Sequence, residues 1–158
     1  MYRIGFAKDI HPLKEGRKLI LCGVEIPHSH GLDGHSDADA ALHAIGESIL
    51  GALALGDLGT YFPPSNNEFK DKESSYFVIK IVKMMKEKGY QINNVDVSIL
   101  AEAPRLAPYI LLMREKVALL LETSIDNVSI KAGTNEKMDA VGRKEAIEAT
   151  SIVMLKRI

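Results

Sequence analysis

Apolar residues at Ala41, Leu42, Ile45, Ile49, Leu50 and Leu53 recur at the spacing of one helix face. Ser36 stands where a side chain can cap that helix, Asp39 holds the reciprocal capping position, and Gly56 supplies a stop. A stripe this apolar has to be buried against something. The remaining chain offers several strands for the purpose. Val95, Val97, Ile99 and Ala101 alternate with Asp96, Ser98 and Leu100, the period of a half-buried strand. Residues 2–11 read as a strand that gives way to a loop at Pro12. Leu19–Leu21 and Val24–Ile26 read as a hairpin around Cys22 and Gly23. Val128–Ala132 is a further strand. The β-branched run from Thr150 to Val153 makes residues 146–158 a strand rather than a helix. Ser74–Lys88 reads as an amphipathic helix with Phe77, Ile81, Met84 and Met85 inward, and Pro108–Leu121 as another helix. His28–Gly34 and residues 59–72 read as loops. The order predicts an α+β fold, a mixed β-sheet with helices packed on one face.

The length of 158 residues fits one domain, 1–158, with room for a real core. A formal net charge of -1 gives no global field towards nucleic acid or an anionic membrane, so neither is expected as a partner. Any phosphate must be held by local cations. One cysteine, Cys22, excludes an intrachain disulfide and a cysteine-cluster metal site. The run Ile45–Leu55 is broken by Gly46, Glu47, Ser48 and Gly51, well short of a membrane span. Met1 leads directly into Tyr2–Gly5 without a basic-then-apolar pattern. The expected location is the cytoplasm, or a plastid stroma where a transit peptide has been removed.

Asp9 and His11 are two residues apart, so on a strand they share a face. His43 falls about two turns into a helix beginning at Ser36. A carboxylate and two imidazoles form a three-ligand set suited to zinc, with a fourth position for water or substrate. Asp-x-His is a weak signal alone. A lone helical histidine is more often a packed residue or the partner of an acid four positions away, here Asp39. His28 and His30 read as exposed loop residues.

The ensemble is more specific than its parts. His35-Ser36-Asp37-Ala38-Asp39-Ala40-Ala41-Leu42-His43, following Asp9-Ile10-His11, resembles the signature of the 2-C-methyl-D-erythritol 2,4-cyclodiphosphate synthase family. The resemblance continues in order through Leu55–Gly59, Tyr61-Phe62-Pro63, Asn94–Val97, Ala101–Pro104, Lys131-Ala132, Asn135–Lys137 and Gly142-Arg143.

That resemblance implies a phosphorus–oxygen lyase of non-mevalonate isoprenoid biosynthesis. Such enzymes close 4-diphosphocytidyl-2-C-methyl-D-erythritol 2-phosphate into the 2,4-cyclodiphosphate and release CMP. The substrate's own 2-phosphate attacks the β-phosphorus, so no protein nucleophile is needed. Two unit charges about 4 Å apart interact by about 4 kcal/mol at an effective dielectric near 20, and two doubly charged phosphates by about 16 kcal/mol. Bound cations have to offset this. The resemblance implies zinc on Asp9, His11 and His43, and magnesium or manganese anchored by Glu136. It implies that His35 and Thr134 steady the transition state and that Ser36 helps hold the 2-phosphate, aided by N–H groups at its helix start. Asp57 and Gly59 match positions that hold the methylerythritol unit near the zinc, and Leu58 and Phe62 are further substrate-binding matches. Ala101, Ala103, Pro104, Arg105, Leu106, Ala132, Gly133 and Asn135 match the cytidine side, with Arg105 on a nucleotide phosphate; Arg143 is also a substrate-binding match. The family is homotrimeric, built around the sheets, with each active site shared between neighbouring subunits.

The sequence departs from the family pattern in places. Gly5-Phe6-Ala7-Lys8 replaces a Gly-His-Gly-Phe-type run, and Pro64 follows Phe62-Pro63 where an acid is usual. Gly133-Thr134-Asn135 replaces a threonine-rich run, and Arg105 stands where lysine is common. These changes leave two alternatives: a catalytically silent trimeric metal- and nucleotide-binding homologue, or a zinc phosphodiesterase.

Overall fold

The computed structural model describes residues 1–158. Five strands form a mixed sheet in the order β4-β1-β7-β5-β6. They are β1 (Tyr2–Glu15), β4 (His30–Leu32), β5 (Tyr90–Leu100), β6 (Val128–Gly133) and β7 (Ala146–Arg157). Only β5 and β6 run parallel; the other neighbours are antiparallel. A separate ribbon pairs β2 (Leu19–Leu21) with β3 (Val24–Ile26). The main helices are α1 (Ala40–Ala52), α3 (Ser74–Glu87) and α4 (Ile110–Leu120), with short turns of helix at α2 (Leu58–Tyr61) and α5 (Asp139–Gly142).

The helices cover one face of the sheet, as expected. α1 lies on β1 and β7, α3 reaches β5 and α4 reaches β6. The core runs from Ile45, Ile49 and Leu50 on α1, through Val78, Ile81 and Met85 on α3, to Val97, Ile99 and Val153 on the sheet. Gly5 sets how closely α1 approaches. A Cβ there would fall 1.8 Å from the Ser48 carbonyl oxygen, so any side chain would push the helix off the strand. The opposite face stays open and apolar, with Tyr2, Ile4 and Phe6 exposed by 65%, 65% and 63%.

Several boundaries differ from the sequence expectation. β1 does not stop at Pro12 but continues to Glu15. Pro12 pairs with Ala146 at the end of the β7 ladder, and the β4 ladder begins at the next residue, Leu13. The missing N–H therefore falls where the strand changes partner. β4 lies within the expected 28–34 loop, too short to show a period. Ser36 is not the cap of α1. It has φ 56 and sits in a turn, and Asp39 caps the helix by accepting from Leu42 N at 2.9 Å. The same carboxylate accepts from Cys22 N and Gly23 N, at 3.0 and 2.7 Å, tying the β2–β3 ribbon to the helix start. Burial pushes the Asp39 carboxyl up to about 6, against the pull of these N–H groups. The expected 59–72 loop contains the end of α2 and a 3-10 turn at Asn67–Phe69. Pro108 belongs to a 3-10 turn that precedes α4. Phe77 is half-buried beside Phe62 and Phe69, and Val78 and Val82 take the inward positions with Ile81 and Met85.

Candidate active site

The odd-numbered residues of β1 face the helices. Gly5 and Ala7 are buried under α1, and Asp9 and His11 follow on the same face where the cover thins. His43 lies in the first turn of α1, because that helix starts at Ala40 rather than Ser36. Ligand atoms of Asp9, His11 and His43 all lie within 4.8 Å of one another. One oxygen, Asp9 Oδ2, is 2.9 Å from His11 Nε2 and 3.2 Å from His43 Nδ1. His11 Nε2 is buried without an aligned hydrogen-bond partner. The Asp33 backbone supports the same ring, and a Cβ at Gly34 would come within 3.0 Å of its Nδ1. A buried imidazole nitrogen crowded against a carboxylate and a second imidazole is a donor set that fits a divalent cation of zinc type.

The charges of the trio are coupled. Burial pushes the Asp9 carboxyl up, but hydrogen bonding and the charges of His11 and His43 prevail and hold it well below the usual carboxylate range. Contact with Asp9 raises the His11 imidazole above its ordinary value, against the effect of burial. A cation bound there replaces the proton in this balance.

The other expected residues fall around two separate cavities. The first, of about 540 Å³, opens beside His43 and is lined by His35, Ser36, Leu58, Gly59 and Phe62 among others. Asp57 does not line it. Its carboxylate caps α2, accepting from Thr60 N at 3.0 Å and Thr60 Oγ1 at 2.8 Å, and thereby sets the position of Leu58 and Gly59. The second cavity, of about 340 Å³, is lined by Ala101, Pro104, Arg105, Leu106, Ala132, Gly133 and Thr134. Ala103 is joined to Pro104 in the same loop, and Asn135 and Glu136 follow directly after Thr134. His35 and Thr134 are therefore not brought together within one chain. Arg143 lines neither cavity and pairs with Glu145 at 3.0 Å on the surface.

Sequence reasoning missed several contributors. Arg17 donates to the Ser36 carbonyl at 2.9 Å and lies 3.4 Å from Asp33, bracing the loop that carries His35. Its only signal was a cation two residues before a strand. Phe69 and Phe77 complete an aromatic wall with Phe62, with ring centroids 4.9 to 6.0 Å apart. Glu102 accepts from Asn135 N and Lys137 N, both at 3.0 Å, and stitches the two loops of the second cavity together. Its place between Ala101 and Ala103 in a family motif was the available sign.

Comparison with known proteins now bears on this geometry. Residues 2–156 match the model of the YgbB family. A 2-C-methyl-D-erythritol 2,4-cyclodiphosphate synthase from Brachyspira hyodysenteriae is 52% identical over 155 residues, 98% of each chain. Among solved structures, a 2C-methyl-D-erythritol-2,4-cyclodiphosphate synthase in a CDP-bound form superposes with TM-score 0.91 at 30% identity, covering 98% of this chain and 100% of the other. The bifunctional IspDF from Campylobacter jejuni superposes with TM-score 0.95 at 33% identity; this chain is covered completely and spans 43% of that longer one. The match runs over nearly the full length of the relative in sequence and in fold, and the chain belongs to the YgbB family of 2-C-methyl-D-erythritol 2,4-cyclodiphosphate synthases.

Proposed function

We propose that residues 1–158 act as a single domain that closes 4-diphosphocytidyl-2-C-methyl-D-erythritol 2-phosphate into 2-C-methyl-D-erythritol 2,4-cyclodiphosphate, releasing CMP, in isoprenoid precursor biosynthesis. In this reaction an oxygen of the 2-phosphate bonds to the β-phosphorus, and the bond from that phosphorus to the oxygen of the departing CMP breaks. The enzyme is a phosphorus–oxygen lyase. The observation that carries the reading is the convergence of Asp9, His11 and His43 ligand atoms within 4.8 Å of one another, beside a cavity in a chain of this family.

Asp9, His11 and His43 would hold zinc, and Glu136 would anchor magnesium or manganese. Bound there, these ions supply charge neutralisation and polarisation of the diphosphate. His35 and Ser36, at the rim of the first cavity, hold the 2-phosphate and steady the charge that builds on it. Arg17 keeps their loop in place and adds a local cation, which a chain of net charge -1 needs. Leu58, Gly59 and Phe62 hold the methylerythritol skeleton, with Asp57 shaping their turn. The wall of Phe62, Phe69 and Phe77 keeps water from the reacting phosphates and so favours ring closure over hydrolysis. On the second cavity, Ala101, Ala103, Pro104, Leu106, Ala132, Gly133 and Asn135 receive cytidine, Arg105 meets a nucleotide phosphate and Thr134 contacts the diphosphate. Arg143 contributes at the edge of the substrate site once freed from Glu145.

The two cavities complete one another across a homotrimer interface. The open apolar face of the sheet supports this, since Tyr2, Ile4, Phe6, Ile10 and Ile152 form an exposed patch that a monomer would leave in water. No helix is long and apolar enough to cross a membrane. Cytoplasm or plastid stroma is the proposed location. Phosphorus NMR of the protein with the cytidylyl substrate tests the reading. Cyclic diphosphate with CMP is expected. Linear hydrolysis products would instead mark a phosphodiesterase, and no turnover a silent homologue.

A further inference from the structure

His43 is held from its far side by a relay that ends on a carboxylate. Ser74, the first residue of α3, is 1% exposed. Its Oγ lies 2.9 Å from His43 Nε2 and also hydrogen-bonds to Asp37 Oδ1. The Asp37 carboxylate is surrounded by donors. It accepts from Ser74 N at 3.0 Å and from Asp39 N at 3.2 Å as well. Glu73, at the N-cap position of α3, makes no side-chain capping bond, so Asp37 caps that helix from a distant segment. The turn that brings it there has Ser36 and Ala38 at φ 56 and 52, a left-handed backbone unusual for residues with side chains.

The contacts of His43 admit two proton placements, Nδ1–H donating to Asp9 Oδ2 at 3.2 Å or Nε2–H donating to Ser74 Oγ at 2.9 Å, and the carboxylate behind Ser74 favours the second. A carboxylate that receives N–H groups only accepts, so the single Ser74 hydroxyl proton goes to Asp37. The Ser74 oxygen then accepts, and the proton it accepts sits on His43 Nε2. In the neutral ring Nδ1 is left with its lone pair, and Nδ1 is the atom that faces Asp9 Oδ2. We propose that Ser74 and Asp37 are positioning residues that lock His43 in its Nε2–H form and present Nδ1 to the Asp9–His11 pair as a cation ligand. The inference rests on the metal reading above for its purpose, while the tautomer stands on the relay outweighing the pull of Asp9 on Nδ1. The relay also joins the first turn of α3 to the metal ligands, so a shift of that helix alters the ligand set.

Nitrogen-15 NMR of His43 in the metal-free protein, in alkaline buffer, tests the lock directly. A protonated Nε2 and a bare Nδ1 are expected. Ser74→Ala should let both tautomers appear, and Asp37→Ala should free the Ser74 hydroxyl to donate to Nε2 and raise the Nδ1–H form. Ser74→Thr keeps the hydroxyl and should restore the wild-type spectrum. In chelator competition, Ser74→Ala should weaken zinc binding about 10- to 100-fold, the range seen when a supporting partner of a metal ligand is removed. A wild-type His43 carrying its proton on Nδ1 would overturn the proposal, and this measurement needs no variant to fold. Unchanged zinc affinity and an unchanged spectrum in Ser74→Ala would overturn it too. Wild-type protein that takes up no zinc, yet shows the Nε2–H form, would sink the metal reading and leave the lock established.

Discussion

The two faces of β1 divide the work of the molecule between alternate residues. Gly5, Ala7, Asp9 and His11 face the helices; the first two set the packing distance and the last two bring donor atoms to the candidate metal site. Tyr2, Ile4, Phe6 and Ile10 face outward, exposed and apolar, with Lys8 among them bridging to Glu148 at 3.2 Å. One strand therefore carries the candidate ligands on one side and an exposed apolar face, the proposed association surface, on the other, with only a two-residue repeat to keep them apart. A change on one side should leave the local structure of the other intact, and that expectation can be broken experimentally.

The largest effect is expected at His11. His11→Ala removes one of three ligands, and turnover should fall about a thousandfold, about 4 kcal/mol of lost transition-state stabilisation. Zinc should be lost by elemental analysis while size-exclusion chromatography still gives the assembled species. Retained zinc at full occupancy would break the ligand assignment. Gly5→Ala comes next. Its Cβ would meet the Ser48 carbonyl oxygen at 1.8 Å, so the backbone has to move, at a cost of about 3 kcal/mol in urea unfolding. A third substitution, Phe6→Asp, acts on the outward face. It should remove about 2 kcal/mol of apolar burial per subunit from the assembly and shift it towards monomer by ultracentrifugation, while helical circular dichroism is kept. Activity should fall with the monomer fraction. A fully active monomer would refute the shared active site.

The smallest effect is on pH. The Asp9 contact raises the His11 imidazole above its usual value of about 6.5. Protons therefore compete with metal beginning above that value, and zinc affinity should fall by up to about tenfold per pH unit on acidification. The metal-free protein should respond the other way. A histidine raised in the folded state contributes stability that is full below about 6.5 and is lost as pH rises through the folded value. Thermal melts of metal-free and zinc-loaded protein over this window should thus slope in opposite directions.

Much of this arrangement could be read from the chain itself because its strong periods are local. The alternation from Val95 to Ala101 and the stripe from Ala41 to Leu53 correspond to β5 and α1 within a few residues. The β-branched run at Thr150 correctly overrode a helical alternative, since β7 is the central strand that needs two paired edges. The failures were of tertiary origin. Ser36 looked like a cap, but Asp39 also meets the Cys22 and Gly23 N–H groups, a demand no local pattern displays. Pro12 looked like a strand end, because its tolerance depends on a change of partner there. Of the candidate residues, Asp9 and His11 were only weakly legible through strand spacing, and the trio with His43 became legible through the wider run of motifs that resembles the family. Glu102, Arg17 and Ser74 were not, because each acts on a segment far away in sequence.

The parallel pair β5 and β6 ends level, with Leu100 opposite Gly133, and Ala101 N still donates to Gly133 O at 2.9 Å. The loops that follow leave side by side and are clasped at one point by Glu102. What they hold between them is shaped by peptide groups and by residues as small as alanine and glycine. Substitutions in these loops should therefore be tolerated far better than changes in their length. A single inserted residue in either loop would carry the carbonyl and amide groups out of step with their neighbours, a harsher injury than most substitutions there.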